Sequence, residues 1–288
     1  MDLLKCRALL NALELGSILA ASEKMDYTPS GINRMINALE EELGVTLLNR
    51  NRHGVTLTSN GESLLPLLRQ FIKSGEQIEQ RCSELNGLIC GELRIGSFYS
   101  VASHKLPKLI KKFICKYPGI QIHIEEDGMT KILSMLKENR LDCCFSIVPD
   151  DSDVDFIPLF EDRVVVWLPK HHLFAKSEAF PVHLLADYPY ISMVDGKNPI
   201  VNSILNRYNL TTKTCYTTQD SYTAFRMVEA GLGISANNEL TCEKWDGDVT
   251  ILPFDPPQQI SIGLALPKNQ KLSPVVSRFT EFIKREWN

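Results

Sequence analysis

The stretch TPSGINRMINALEEEL, residues 28–43, decides how this chain is read. Thr28 is a good helix N-cap, and Pro29 sits in the first turn, where a missing N–H costs nothing. Ile32, Met35, Ile36, Leu39 and Leu43 recur at helical spacing and form an apolar stripe. Ser30, Asn33, Arg34 and Asn37 fall on another face at the same spacing and carry hydrogen-bonding groups of the kind that meet phosphates and base edges. A capped helix with a buried stripe and short polar residues near its start is what a DNA major groove admits.

The flanks strengthen that reading. Leu3, Cys6, Leu9, Leu10 and Leu13 make residues 2–15 an amphipathic first helix stopped at Gly16. Ser17 can cap a second, short helix to about Met25, and Asp26 and Tyr27 turn the chain into the third. Two helices joined by so short a turn form a helix-turn-helix. After Gly44, two β-prone runs (45–49 and 55–58) enclose a turn holding Arg50, Arg52 and His53. A hairpin is expected there, the wing of a winged helix, with a tip suited to phosphate. From Ser59 a capping-box pattern with Glu62 opens another helix. Along it Leu64, Leu68, Phe71, Gly75, Ile78, Cys82 and Leu85 alternate in steps of four and three, a heptad seam. About 28 helical residues span roughly 40 Å. So narrow a stripe on so long a helix calls for a partner chain, with Leu64, Leu68, Phe71, Ile78 and Leu85 as the dimerisation residues.

Residues 92–288 alternate strand-like and helix-like runs, the pattern of an α/β domain. ELRIGS (92–97), IQIHIE (120–125) and CCFSI (143–147) read as strands, with a helix from Ser100 to about Tyr117 and another from Met129 to Asn139. VVVWLP (164–169) and SIGLALP (261–267) are distant apolar runs that suit crossovers between two lobes.

The chain resembles the LysR-type transcriptional regulators. The likeness is carried by NALELGSILAASEKM, TPSGINRMINALEEELGVTLLNR and RHGVTLTSNGE at the N-terminus, and by GELRIGS, LPKLIKKFICKYPGIQIHIEEDG, LKENRLDCCFSI and FRMVEAGLGISA further on. One departure stands out: the family usually has Ser-Gln-Pro where this chain has Thr28-Pro29-Ser30, so a glutamine often placed to read bases is absent. The resemblance implies an α/β architecture in three parts: a winged helix-turn-helix (1–58), a linker helix (59–88) and a two-lobed, periplasmic-binding-protein-like effector domain (91–288). Lobe I would comprise about 91–163 and 267–288, and lobe II about 164–266. It also implies double-stranded DNA, a small-molecule effector and a second copy of the chain (homodimer or homotetramer) as partners, with RNA polymerase a further candidate. Thr28, Ser30, Asn33, Arg34, Asn37, Arg50, Arg52 and His53 would contact DNA. Matching effector positions are Ser97, Phe98, Tyr99, Ser100 and Val101 after the first strand, then Met129, Thr130, Ser146, Ser192 and Met193. Ser100 and Thr130 stand at helix starts, where unpaired N–H groups favour an anion, so a small carboxylated effector is expected.

Composition bounds rather than decides. The 288 residues carry 44% hydrophobic side chains, without an apolar run long enough to span a membrane or a basic-plus-apolar leader, so a cytoplasmic protein is expected. The net charge of −4, and six Lys/Arg against seven Asp/Glu in residues 1–60, give none of the basic footprint usual for nucleic-acid binders. The DNA assignment therefore rests on pattern. Eight Cys are expected reduced. Cys143-Cys144 lies in an apolar strand and reads as packing, although thiol-based redox sensing, by these or by Cys215 and Cys242, is an alternative. A cytoplasmic small-molecule binding protein is another, but it leaves the first 58 residues unexplained. GLG (231–233) lacks the third glycine of a dinucleotide loop, and His171-His172 has no ligand at metal spacing. No catalytic constellation can be singled out, and neither an enzymatic activity nor a cofactor is expected.

Overall fold

The computed structural model describes residues 1–51, 54–148, 154–193 and 198–287. Three helices open the chain: α1 (Leu3–Glu14), α2 (Ile18–Met25) and α3 (Pro29–Leu43). Each starts on a side-chain cap: Asp2 accepts from Lys5 N–H, Ser17 from Ala20 N–H and Thr28 from Gly31 N–H. Ile32, Ile36 and Leu39 are fully buried against Cys6, Leu9 and Ala12 of α1 and Ala21 of α2. Burying each such aliphatic side chain is worth about 1.5–3 kcal/mol, and this stripe holds α3 in place. The hairpin β1 (Leu48–Asn51) and β2 (Gly54–Leu57) follows, antiparallel, with Leu48 opposite Leu57. The start of β2, beside the hairpin turn, is fastened to the α1–α2 turn, where Val55 N–H donates to Gly16 O at 3.2 Å. Gly54 is there at φ +121, and a Cβ on it would come within 2.2 Å of that same oxygen.

Helix α4 (Ser59–Leu85) is capped one residue earlier than the capping-box pattern implies. Thr58 keeps an extended backbone and accepts from Gly61 N–H at 3.0 Å, which leaves Ser59 already helical. The seam also divides in an unexpected way. Leu68 and Ile72 are buried in the winged-helix core, with Leu64 and Phe71 packed beside them, whereas Ile78 (65% exposed) and Leu85 (73%) lie open.

Helix α4 also lies along the rest of the molecule. That part is built on a sheet of order β10-β6-β11-β5-β3-β4, with β7 (Phe180–Pro181) off β11. Here β3 is Cys90–Ser97, β4 Gly119–Glu126, β5 Cys143–Ile147, β6 Val154–Pro169, β10 Ser235–Asn238 and β11 Val249–Pro267. Strand β3 runs parallel to β4 and β5, while β11 is antiparallel to both β5 and β6. Two strands are much longer than their apolar runs, 16 residues for β6 and 19 for β11. Their mixed-polarity halves alternate in burial because they pass from one lobe to the other, and the ladder shifts register between Pro253 and Gln258. The parallel pair β8 (Pro189–Met193) and β9 (Lys213–Thr218) completes lobe II, joined to the β10 side through Ile191 N–H donating to Ile234 O.

The single helix expected from Ser100 to Tyr117 is two, α5 (Tyr99–His104) and α6 (Leu106–Lys116). Pro107 explains the break: it donates no N–H and fits only a first turn, so α6 restarts there. Helices α7 (Met129–Lys137), α8 (Pro199–Arg207), α9 (Ser221–Glu229), α10 (Glu239–Cys242) and α11 (Pro274–Trp287) cover the sheets.

Gly61 tests the closeness of α4 to the wing. A Cβ there would stand 2.3 Å from Leu47 O and 2.9 Å from Leu57 Cδ2. Gly61→Ala should therefore destabilise the chain by about 1–3 kcal/mol through overpacking, opposite to the ~1 kcal/mol gain usual for Gly→Ala within a helix. A urea midpoint raised by the substitution would contradict this packing.

Candidate DNA-contact face and interlobe site

The outer edge of α3 collects Ser30, Arg34 and Asn37, all exposed, at successive spacings of four and three. Thr28 Oγ1 both caps Gly31 N–H (3.1 Å) and lies 3.1 Å from Ser30 Oγ, so the first turn is preset. Arg34 reaches from this edge with no side-chain partner among the described residues. Arg50 is placed differently. Its guanidinium folds back from β1 onto α3, donating to Asn33 Oδ1 at 3.2 Å and Glu40 Oε2 at 3.0 Å. Glu40 is a structural anchor that sequence reading missed, since its other oxygen accepts the backbone N–H of Leu47 (2.6 Å) and Leu48 (3.0 Å). Arg52 and His53 lie outside the described residues.

The effector positions gather where parallel strands end. Ser97 closes β3 and Ser146 lies near the end of β5, while Met129 and Thr130 begin α7, which follows β4. Ligands of open α/β sheets bind beyond such carboxyl ends. Ser97, Phe98, Ser100 and Val101 are buried, and Tyr99 is partly exposed. Ser146 Oγ is buried without a hydrogen-bond partner among the described residues, so its hydroxyl has capacity to bond a further polar group. Ser192 and Met193 line a separate cavity of about 80 Å³ in lobe II, with Tyr190, Asn198 and Thr214 among its other walls.

Two links missed in the sequence join the lobes. Asn238, at the end of β10, donates through Nδ2 to Ser100 Oγ (3.0 Å) and to Asp162 Oδ2 (2.7 Å). Asp162 also accepts from Leu240 N–H at 3.3 Å, and burial raises its pKa against the lowering effect of these bonds. Beside them Trp245 Nε1 donates to Tyr99 Oη at 3.1 Å, the two rings 5.7 Å apart. The helix-start hydroxyl of Ser100 is thus spent on lobe II, and of the two predicted helix-start hydroxyls only that of Thr130 is exposed.

The thiols divide by burial. Burial pushes Cys144 up to about 12 and Cys242 up to about 11, and Cys143 well above its ordinary value. Among the described residues no group of three or more His, Cys, Asp or Glu could hold a metal ion, and no helix is long and apolar enough to cross a membrane.

Residues 3–62 match the bacterial regulatory helix-turn-helix protein, lysR family, and residues 86–288 match the LysR substrate binding domain. The chain is 25% identical to the uncharacterized HTH-type transcriptional regulator YvbU of Bacillus subtilis, over 99% of this chain and 98% of the relative. It is 27% identical to the probable HTH-type transcriptional regulator LrrA of Synechococcus elongatus, over 99% and 97%. Among solved structures, a full-length OxyR variant from Pseudomonas aeruginosa superposes with a TM-score of 0.78 at 22% identity, covering 99% of this chain and 94% of that one. Full-length CbnR in complex with its target DNA gives 0.68 at 17% identity, covering 99% of each chain. The effector binding domain of QuiR in complex with shikimate gives 0.62 at 25% identity, covering 69% of this chain and 97% of that domain. The chain belongs to the LysR family: it is a DNA-binding transcriptional regulator with an effector-binding domain, and not an enzyme.

Proposed function

We propose that this regulator reads an operator with the exposed edge of α3 and that a small carboxylated effector, held where β3 and β5 end, resets the link between its lobes. The observation that carries the DNA half is the free guanidinium of Arg34, flanked by Ser30 and Asn37 on a helix fixed by the Thr28 cap and the Glu40 anchor. Arg50 contributes by holding Asn33 in register rather than by reaching outward, while Arg52 and His53 contact the flanking backbone. Two copies of the chain bring two such helices to two half-sites. Leu67, Ile78 and Leu85 of α4, exposed in one copy, are covered by the second.

The unpartnered Ser146 hydroxyl and the exposed Thr130 at the start of α7 support the effector half. The similar QuiR domain, in complex with shikimate, favours a carboxylate. Such a ligand competes for Ser100, loosens its bond to Asn238, and so changes how the lobes sit. Burial argues against Cys143, Cys144 and Cys242 as redox sensors, because a protonated, covered thiol is a poor nucleophile.

Arg34→Ala should weaken binding to a promoter fragment selected from genomic DNA by about 1–3 kcal/mol, roughly 5- to 150-fold, with a smaller effect on random duplex. Fluorescence anisotropy at fixed salt reads this, and unchanged operator affinity would remove α3 from the groove. A panel of small carboxylates should contain one that raises the melting temperature of the full chain by several degrees at ~100 Kd. Silence of the whole panel, with an uncharged ligand binding instead, would reject the carboxylate assignment. Iodoacetamide at pH 7.5 should label Cys115 and Cys215 in the native chain and spare Cys143, Cys144 and Cys242 until denaturant is added. Equal labelling of all would reopen the thiol reading.

A further inference from the structure

A cavity of about 290 Å³ lies outside the strand-end site, between α5–α6 and α11 of lobe I and the segment after α10 in lobe II. Its walls carry Lys105, Lys108, Lys112 and Lys244 against only Glu243 and Glu286, in a chain whose net charge is −4. Lys112 is paired with Glu286. The ammonium of Lys105 sits 5.5 Å from the centre of the Phe160 ring, itself stacked on Trp287 at 5.7 Å and 7°. Lys108 and Lys244 have no carboxylate partner among the described residues. His104 also lies on the rim, its Nδ1 2.7 Å from Ser103 Oγ, so that its Nε2 is the nitrogen left over. Unpaired lysines facing one small volume repel one another, and an anion that enters removes the repulsion while gaining several charge-assisted hydrogen bonds. The apolar side, Leu109 and Trp287, gives such a ligand a carbon skeleton's worth of wall.

We propose that this cavity binds a small polyanion of two or more negative charges, the chemistry of a phosphorylated or polycarboxylate metabolite. Lys244 approaches from lobe II and Lys105 and Lys108 from lobe I, so one ligand ties the lobes together. Lys244 is next in sequence to Trp245, whose bond to Tyr99 spans the same seam. The polyanion therefore favours the linked arrangement that effector binding at Ser146 and Thr130 would loosen, and the two ligands oppose each other. The site itself stands whether or not the carboxylated effector is correct.

The test is isothermal titration calorimetry of the full-length chain with pyrophosphate, citrate and acetate, ionic strength held constant with NaCl. Saturable one-to-one binding of pyrophosphate or citrate, without acetate binding, is expected. Tighter pyrophosphate marks a phosphorylated ligand and tighter citrate a polycarboxylate. Lys108→Gln with Lys244→Gln should weaken binding at least 10-fold, with melting temperature and operator affinity in the absence of anion unchanged. Arg34→Ala should leave anion binding intact. The proposal is overturned if neither polyanion saturates, if the double variant binds as tightly as the wild type, or if Arg34→Ala abolishes binding, which would put the anion on the DNA face. Operator affinity is read separately, so failure here leaves the DNA assignment untouched.

Discussion

A single helix is built into the N-terminal core and ion-paired to lobe I, and much else in the molecule depends on it. The first half of α4 buries Leu68 and Ile72 among the winged-helix residues, and Gly75 lets Leu3 of α1 come close. The same helix is bound to lobe I by charge. Arg69 pairs with Glu138 at 3.2 Å, Lys73 with Asp142 at 3.2 Å, Arg94 with Glu76 at 3.1 Å and Arg278 with Glu84 at 2.7 Å. The Lys73–Asp142 pair is nearly buried, and Asp142 also accepts the backbone N–H of Arg94, while Lys73 donates to Leu141 O. Buried pairs contribute little net stability, because desolvation offsets attraction, but breaking one side is costly. Their effect here is to fix one register of α4 on the sheet.

Between the lobes the contacts are of a different kind. Asn238 and Trp245 reach Ser100 and Tyr99 through single hydrogen bonds, each worth about 0.5–1.5 kcal/mol net. Strands β6 and β11 supply the continuous hinge beneath them, with their ladder interrupted between Pro253 and Gln258. Asp162 accepts from Asn238 and Leu240, and Arg163 pairs with Glu239 at 2.8 Å, so a ligand must outweigh these polar links, and it moves the equilibrium only by its differential affinity for the two states.

What the residues reveal in advance follows from how local each determinant is. The caps at Ser17 and Thr28 and the stripe Ile32–Ile36–Leu39 are each local to their own helix, and they are legible at once, whereas the Asp2 cap of α1 is seen only in the structure. The seam of α4 was legible as apolar but not by destination, because periodicity shows which positions are greasy and not whether Leu68 meets its own chain or another. The break at Lys105 was readable from Pro107, yet the apolar spacing on both sides masked it. Asn238, Asp162 and Trp245 carried no signal, for their partners lie 76 to 146 residues away and none sits in a recognisable pattern. The lysines of the α6 cavity were visible singly, but Lys244 joins them only after folding.

The charge balance shows why a sum over residues misleads for this protein. Seven carboxylates against six cations in the first 60 residues argue against DNA if all are taken as facing outward. They do not all do so. Glu40 turns inward to two backbone N–H groups and Arg50, and Glu42 is held by Lys5 and the N-terminal ammonium, which together lower its pKa to about 2. These carboxylates lie at the C-terminal end of α3, beyond the edge formed by Ser30, Arg34 and Asn37. At the ionic strength where regulators work, fields fade over about 8–10 Å. The free guanidinium of Arg34 therefore stands apart from Glu40 and Glu42, whose charge is already paired.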